Sequence, residues 1–319
     1  MTFSRRDFLR NSAQTLSAAA LMGVPALASA AKARIDVQDV NGLALITGGG
    51  GNVVALPSAD GALLVDGGLA EHSSAVLKAV ASATNTKRVH TLINTHWHPE
   101  QTGSNEAIGK DGGIIISHEV TRLALGRKNP SALYTGTYGG LPPKALPTVT
   151  TYNTGALEFA GEHVDYRYLP AAHTNGDLFV HFPKHNVIVA GGPVAGHSWP
   201  VIDYLNGGFY HGFLRSYEIL CDVAKPDTTV IGAEGVPLKG SDIVRHKDVY
   251  AELFKQFFVL FNKGFGPEDV AEFNKGKEFV GVVPVVADRP LKGLIQEMGD
   301  PTQFLEYAYR SLQQATIPH

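Results

Sequence analysis

The sequence predicts an α/β fold in which helices cover apolar β-sheets. Short runs rich in β-branched residues alternate with segments of helical periodicity throughout the chain after residue 30. Several of these runs, such as residues 62–65 and 187–190, are apolar on both faces, which is typical of strands buried between two layers. The chain has 319 residues, of which 44% are hydrophobic, enough for a sizeable core in one large domain or two small ones.

Residues 1–30 are predicted to be an export signal and to contribute nothing to the fold. A twin-arginine pattern at Arg5 and Arg6 precedes a weakly apolar, Ala-rich run, and residues 28–30 read Ala-Ser-Ala, a cleavage-type site. We therefore expect recognition by the twin-arginine export machinery, a mature chain that begins near Ala31, and a periplasmic location. The segment is too short and too weakly apolar for a stable membrane span after processing.

Charge and one glycine run exclude two classes of function. Removal of residues 1–30 takes away three arginines and one aspartate, which moves the formal net charge from −3 to −5. An acidic chain without a Lys/Arg cluster lacks the basic face that a nucleic-acid partner requires. Residues 48–51 are glycines followed by a strand and not by a helix, which indicates a hairpin turn and not a dinucleotide-binding loop. The single cysteine, Cys221, excludes an internal disulfide and is expected to be a buried, inert thiol.

The elements of the mature chain follow from hydrophobic periodicity and from turn residues. Strands are predicted at residues 35–37, 43–47, 52–56, 62–66, 89–93, 113–117, 148–152, 156–159, 163–168, 178–182, 187–190 and 229–231. Helices are predicted at residues 71–83, from residue 102, at 118–125, at 208–224 and over most of the chain after 240. Residues 127–147, rich in Pro, Gly and Tyr, are predicted to be a long loop of the kind that often forms a lid.

Residues 94–105, which follow the strand at 89–93, carry the side chains best suited to chemistry. Alternate side chains of an extended chain leave the same side, which brings together His96, His98 and Glu100. Pro99 restricts the backbone of His98 and stiffens this arrangement. Two imidazoles and a carboxylate at a strand end predict a metal site, since zinc favours nitrogen and oxygen ligands.

Three later segments place a glycine or a polar residue directly after a strand. His173 lies in a turn, Gly191 and Gly192 end an apolar strand, and Glu234 lies between two glycines after another strand. Together with Asp66 and residues 94–105, these segments resemble the metallo-β-lactamase superfamily in order and approximate spacing.

This resemblance covers about residues 37–237, including the stretch 199–204, and it implies a fold and a chemistry. The implied fold is an αβ/βα four-layer sandwich over residues 31–240, with metals at the sheet edges. Residues 241–319 match nothing specific in the family, and we expect them to form extra C-terminal helices that pack on the same domain. The implied chemistry is attack of a metal-activated water on an acyl or phosphoryl centre.

The resemblance implies one complete metal site and one altered site. Its first site takes three histidines, His96, His98 and His173. At the positions of its second-site ligands, this chain has Glu100, Gln101, Gly192 and Glu234. Glycine offers no ligand atom, and a glutamine carbonyl is a weaker zinc ligand than imidazole. We expect one Zn²⁺ per chain; the alternative is a second ion such as Mn²⁺ or Mg²⁺ on Glu100 and Glu234.

Further residues are expected around the metal. Glu100 is predicted to act as general base or to orient the hydroxide; alternatively, it accepts a hydrogen bond from a ligand histidine. Asp66 is expected to brace the loops, and Gln101 to stand beside them. His197 is a candidate to rotate into the gap that Gly192 leaves. An aromatic substrate wall is predicted from Trp199, Tyr204, Phe209 and Tyr210, with His211 beside it.

Two functions remain open at this point. The first is an exported zinc hydrolase acting on a small ester, lactone, thioester or amide. The alternative is a non-catalytic, accessory metal-binding module that retains the fold without the second metal site. The three histidines favour the enzyme, whereas Gly192 and Glu234 favour the accessory module.

Overall fold

The computed structural model describes residues 34–131, 133–273 and 297–316. The predicted signal peptide at residues 1–30 lies outside the described residues. Within them, no helix combines the length and the apolar character that a membrane span requires.

The strands form two large sheets and a separate hairpin. In chain order they are β1 (Asp36–Val40), β2 (Leu43–Thr47), β3 (Val53–Leu56), β4 (Ala62–Val65), β5 (Val89–Ile93), β6 (Ile114–His118), β7 (Lys128–Pro130), β8 (Thr137–Gly139), β9 (Val149–Thr151), β10 (Thr154–Phe159), β11 (Glu162–Leu169), β12 (Asp177–Phe182), β13 (Val187–Gly191), β14 (Thr229–Gly232) and β15 (Leu238–Lys239). The first sheet has the order β1-β2-β3-β4-β5-β6-β9, and the second has the order β10-β11-β12-β13-β14-β15. β4, β5, β6 and β9 are parallel neighbours, as are β13 and β14.

Helices cover the outer face of each sheet. They are α1 (Ser73–Thr84), α2 (Pro99–Thr102), α3 (Asn105–Lys110), α4 (Glu119–Leu125), α5 (Tyr210–Val223), α6 (Gly240–Asn262), α7 (Pro267–Phe273) and α8 (Thr302–Thr316). Side chains alternate along β4, so Leu63 and Val65 pack toward the second sheet, whereas Leu64 packs toward Val76 and Val80 of α1. This alternation gives the order helix, sheet, sheet, helix, and the predicted αβ/βα sandwich is confirmed.

The C-terminal helices share a hydrophobic core with the second sheet. Buried residues of α6 recur every three or four positions: Ile243, His246, Tyr250, Leu253, Phe257 and Leu260. This spacing makes one face of the helix apolar, and that face packs in the same cluster as Phe213 of α5, Phe304 of α8 and Ile188 of β13. The predicted extra helices are therefore present.

Two local predictions were wrong. Residues 127–147 contain the hairpin β7–β8 and a 3₁₀ turn at Pro143–Ala145, which three-residue strands do not reveal by periodicity. A helix begins at Pro99 and not at Thr102, because proline fits the first turn of a helix. Glu100 is therefore helical, and it does not share an extended segment with His96 and His98.

Candidate metal centre

The site lies where several strands end at one edge of the sandwich. Asp66 follows β4 and Thr95 follows β5, and these two strands are parallel neighbours. Gly192 follows β13, whose parallel neighbour β14 leads to Glu234. The carboxyl ends of parallel strands meet at one edge, which collects residues distant in sequence. The amide of Leu178 in the second sheet donates to the carbonyl oxygen of Thr95 at 2.7 Å and ties the sheets together.

Three buried histidines converge at this edge. His96, His98 and His173 each offer a nitrogen, and the three nitrogens lie within 4.8 Å of one another. The ring centroids are 4.6 to 4.9 Å apart, and the rings are nearly perpendicular, with angles of 80° to 82°. Among the described residues this is the one such group of three. Glu100 and Glu234 are not members of it, so a second ion on these carboxylates stays a prediction.

Hydrogen bonds fix which nitrogen of each ring is free. His173 Nδ1 lies against the carbonyl oxygen of Val201, which accepts, so Nδ1 carries the proton and Nε2 is bare. His98 Nε2 donates to Asp203 Oδ2 at 3.0 Å, which leaves Nδ1 bare. His96 Nδ1 is 3.0 Å from the hydroxyl of Thr95 and leaves Nε2 bare by the same reasoning.

The hydroxyl of Thr95 accepts from His96 because its own proton is already used. That hydroxyl donates to Asp66 Oδ2 at 2.8 Å, and the amide of Thr95 donates to Asp66 Oδ1 at 2.8 Å. Asp66 thus orients His96 through Thr95, in line with its expected bracing role. Asp66 is 1% exposed, and burial raises its pKa to about 8.

The donor set fits a divalent cation. His173 Nε2 and His98 Nδ1 are 2.9 Å apart, although both are bare acceptors by the hydrogen-bond pattern. Two lone pairs at this distance repel each other unless a positive charge lies beside them. Burial lowers the pKa of His96, His98 and His173, and the other imidazoles of the group lower it further for His96 and His98. The rings are therefore held neutral, which is the form that binds zinc.

Asp203 is one of the residues of this site that sequence reasoning missed. It is fully buried, and its Oδ2 accepts from His98, from the hydroxyl of Ser131 at 3.2 Å and from the amide of Asn206 at 2.8 Å. Its Oδ1 has no hydrogen-bond partner among the described residues. Burial raises the pKa of Asp203. A carboxylate in the stretch 199–204 was the available signal, but only the fold places it beside His98.

Glu100 is not one of these outer partners. Its Oε2 accepts a 2.8 Å hydrogen bond from the hydroxyl of Tyr134, whose ring contacts that of His98 edge-on at 5.5 Å. The outer nitrogens of the three histidines bind Thr95, Asp203 and Val201, so the prediction that Glu100 accepts from a ligand histidine was wrong. Burial raises the pKa of Glu100, and the charge of Glu234 raises it further. Tyr134 was not predicted, because it lies in the segment interpreted as a loop.

Gly192 leaves no gap, because the ring of His173 fills the space. A Cβ at Gly192 would lie 2.2 Å from His173 Cδ2, so any side chain at this position would displace the ring. His197 is exposed and outside the group, and the prediction that it turns into a gap was wrong. Gln101 is 3% exposed, and its backbone carbonyl oxygen accepts a hydrogen bond from the backbone amide of Gly67.

The prediction that Trp199 and Tyr210 belong to an aromatic substrate wall was wrong. Trp199 packs in the helical core, stacked 5.1 Å from Phe304. Tyr210 is fully buried, and its hydroxyl donates to the carbonyl oxygen of Tyr250. Both rings are buried because they pack against the apolar faces of the helices that follow residue 240. His211 lies exposed on α5.

Comparisons with known proteins agree with this geometry. The family model of the metallo-beta-lactamase superfamily matches residues 46–235. The alpha subunit of 2,4-dinitroanisole O-demethylase from Nocardioides sp. (strain JS1661) is 26% identical over 113 residues, which are 35% of this chain and 31% of that protein. The match thus spans less than a third of that relative's length.

Two solved structures are similar in fold. A metallo-beta-lactamase from Pontibacter korlensis has a TM-score of 0.51 at 16% identity, over 68% of this chain and 93% of that chain. The stereoselective inverting sec-alkylsulfatase Pisa1 from Pseudomonas sp. has a TM-score of 0.62 at 16% identity, over 89% of this chain and 50% of that chain. At these identities the likeness is one of fold alone.

Proposed function

The chain belongs to the metallo-β-lactamase superfamily, and from this premise we propose that it is a zinc-dependent hydrolase of a small ester, lactone, thioester or amide. One observation carries the proposal: the bare nitrogens of His96, His98 and His173 face one another within 4.8 Å, and each ring is fixed from behind. Three protein ligands with a vacant fourth position are the pattern of catalytic zinc sites, whereas structural sites use four.

The residues divide the work between holding the metal and moving a proton. His96, His98 and His173 would hold the ion through Nε2, Nδ1 and Nε2. Zinc in such a site lowers the pKa of water to about 7 and polarises a carbonyl group. Asp203, Thr95 and the carbonyl oxygen of Val201 keep the three rings in the required tautomers.

Glu100 is the general base in this proposal. Tyr134 holds its Oε2, which fixes the direction of the carboxylate. Glu100 takes a proton from the attacking water and returns it to the alkoxide, thiolate or amine that leaves. Burial raises the pKa of Glu100, which makes its carboxylate a stronger base toward the attacking water.

The accessory module remains the second candidate, and Gly192 is the observation that favours it. Because the ring of His173 occupies this space, the chain cannot supply the second-site ligand that the resemblance implies at this position. A protein that binds one ion without turnover would have the same three-histidine group. Activity measurements decide between the two candidates.

We also propose export by the twin-arginine route and a periplasmic site of action. The twin-arginine pattern and the Ala-Ser-Ala sequence at residues 28–30 support this proposal. Blocking the twin-arginine machinery in a host that expresses the full chain should leave it unprocessed in the cytoplasm. Normal processing in such a host would contradict the export proposal.

The hydrolase proposal is tested with zinc-loaded protein on a chromogenic panel. The panel holds esters, lactones, thioesters, amides and β-lactams, and the names of the similar proteins add 2,4-dinitroanisole and secondary alkyl sulfates. We expect turnover of at least one acyl substrate and its loss, by more than a thousandfold, in His98→Ala. His163→Ala is the matched control, because His163 is a half-exposed histidine paired with Glu158. Zinc binding without turnover of any substrate would favour the accessory module.

A further inference from the structure

A pocket of about 450 Å³ is lined in part by Glu234 and the residues that follow it. It lies between the turn after β2 and the loop after β14. Its apolar side is formed by Leu45, Val236 and Pro237, and its polar side by Thr47, Asn52 and Glu234. Among the described residues that line it, Glu234 alone carries a charge.

The wall of this pocket is shared with the residues that follow His98. Gly51 lines the pocket, and a Cβ there would lie 3.0 Å from the carbonyl oxygen of Glu100 and 3.1 Å from Gln101 Nε2. Gly51 therefore places the pocket next to the backbone of Glu100, two residues after His98.

Asn52 holds the two walls of the pocket together. Its amide donates to the carbonyl oxygen of Ala233 at 2.8 Å, and its side-chain nitrogen donates to those of Gly232 and Gly235 at 3.1 and 2.9 Å. These bonds join the loop that carries Glu234 to the turn after β2. The pocket is thus preformed, and the position of Glu234 is fixed by backbone contacts.

Within the described part of the chain, no basic side chain pairs with Glu234, the charged residue of the pocket. Among the described residues, no lysine or arginine forms an ion pair with Glu234, Glu100 or Asp203. Glu234 lies close enough to Glu100 for its charge to raise the pKa of that carboxyl. An anionic group in the pocket would meet the charge of Glu234 without a basic side chain beside it.

We propose that this pocket binds the part of the substrate next to the scissile bond and that Glu234 makes it select uncharged or cationic groups against anionic ones. The proposal rests on the proposed hydrolase function and narrows its substrate class. Glu234 is exposed at the mouth of the pocket, so solvent and salt screen its charge. We expect discrimination of about tenfold, in the range for a partly screened charge pair.

The test uses three 4-nitrophenyl esters of equal length that differ only at the acyl terminus. The termini are trimethylammonium, its uncharged isostere tert-butyl, and sulfonate, which is a weak metal ligand. The proteins are zinc-loaded wild type, Glu234→Gln and Glu234→Lys. Asp60→Asn is the matched control, since it removes the same charge from an exposed residue at the opposite end of β3.

Wild type should hydrolyse the cationic and neutral esters with a kcat/KM about tenfold above that of the sulfonate ester. Glu234→Gln should reduce this ratio to within about threefold, Glu234→Lys should invert it, and Asp60→Asn should leave it unchanged. High salt should shrink the ratio in wild type. Equal turnover of the three esters by wild type, or an unchanged ratio in Glu234→Gln, would overturn the proposal.

Measurements of ligand binding and of zinc content distinguish a failure of this pocket proposal from a failure of the hydrolase proposal. If neither these esters nor any substrate of the chromogenic panel is turned over, the hydrolase proposal fails, and calorimetry with the matching unreactive amides decides the pocket. The trimethylammonium amide should then bind wild type about tenfold more tightly than the sulfonate amide; equal binding, or binding of neither, overturns the proposal. Zinc content should be the same in all variants, and its loss in Glu234→Gln would instead make Glu234 a metal ligand.

Discussion

The histidine side of the centre (His96, His98 and His173) and its glutamate side (Glu100 and Glu234) are held differently. Each imidazole has a protein partner behind it, and the partners of His96 and His98 are themselves hydrogen-bonded. Glu100 accepts a hydrogen bond from Tyr134, which lies in a loop, and Glu234 is exposed. Metal binding requires fixed tautomers and fixed distances, whereas proton transfer and substrate contact require accessible groups. The difference therefore follows the division of labour that we propose.

The largest effect is expected from a substitution at Gly192, which packs against the ring of His173 on the histidine side. Gly192→Asp would restore a carboxylate at a family second-site position, but its Cβ would lie 2.2 Å from the ring of His173. We expect at least a hundredfold loss of zinc affinity and a loss of about 2 kcal/mol in the free energy of unfolding, as in an overpacked core. Competition with a chelator and thermal unfolding measure both.

Gly126→Ala serves as the control for that substitution. A Cβ at Gly126 meets its nearest atoms at 3.6 Å, an ordinary contact, so both quantities should stay near wild type. A Gly192→Asp protein that binds two zinc ions tightly would show that the second site needs only a carboxylate.

Asp203→Asn tests how much the hydrogen-bond partner of His98 contributes to zinc affinity. Asparagine still accepts a hydrogen bond from His98 Nε2, but it no longer carries the negative charge that polarises the ring. We expect zinc affinity to fall by about ten- to a hundredfold, which is typical for outer partners of ligand histidines. Isothermal titration of the metal-free protein with zinc measures it. An unchanged affinity would mean that Asp203 does not act on the metal ligand.

His246 separates the effect of burial from the effect of the metal. It is 1% exposed, its Nε2 has no hydrogen-bond partner among the described residues, and burial lowers its pKa to about 4. Below the ordinary value of 6.5 the unfolded chain takes up a proton that the folded protein refuses. Wild type therefore loses stability through this residue as the pH falls from 7 toward 4.

His246→Leu should remove the loss of stability that His246 causes at acidic pH. Relative to the variant, wild type should lose about 2 kcal/mol in the free energy of unfolding between pH 7 and pH 5. Denaturant unfolding at both pH values measures the difference, in which the contributions of the three site histidines cancel. A difference that does not change with pH would show that His246 is protonated in the folded protein.

Tyr134→Phe is expected to have the smallest effect and to act on the glutamate side alone. The hydrogen bond from Tyr134 lowers the pKa of Glu100, so its removal should raise that pKa and move the acidic limb of the kcat/KM profile to higher pH. We expect kcat/KM to fall by about tenfold at neutral pH, with unchanged zinc content. A simultaneous loss of zinc would show that the two sides are not independent.

Features that depend on residues close together in the chain could be predicted before the fold was known, whereas contacts between distant residues could not. β2 and β5 begin and end where the apolar runs do, and the three-histidine group was implied by the resemblance to the metallo-β-lactamase superfamily. Asp203 could not be found in this way, because its role depends on a hydrogen bond to His98 across 105 positions of the chain. The burial of Trp199 depends on helices whose docking surface no local pattern specifies. The position of Glu100 depends on helix initiation at Pro99, which competes with extension of the preceding strand.

The central claim is that three imidazoles hold one zinc ion beside a vacant coordination position. Titration of zinc into the metal-free protein, followed by X-ray absorption spectroscopy at the zinc edge, tests it directly. The account predicts one tightly bound ion per chain with three imidazole nitrogens, and no such ion in His173→Ala. Two tightly bound ions, or zinc coordinated by fewer than three imidazoles, would contradict it.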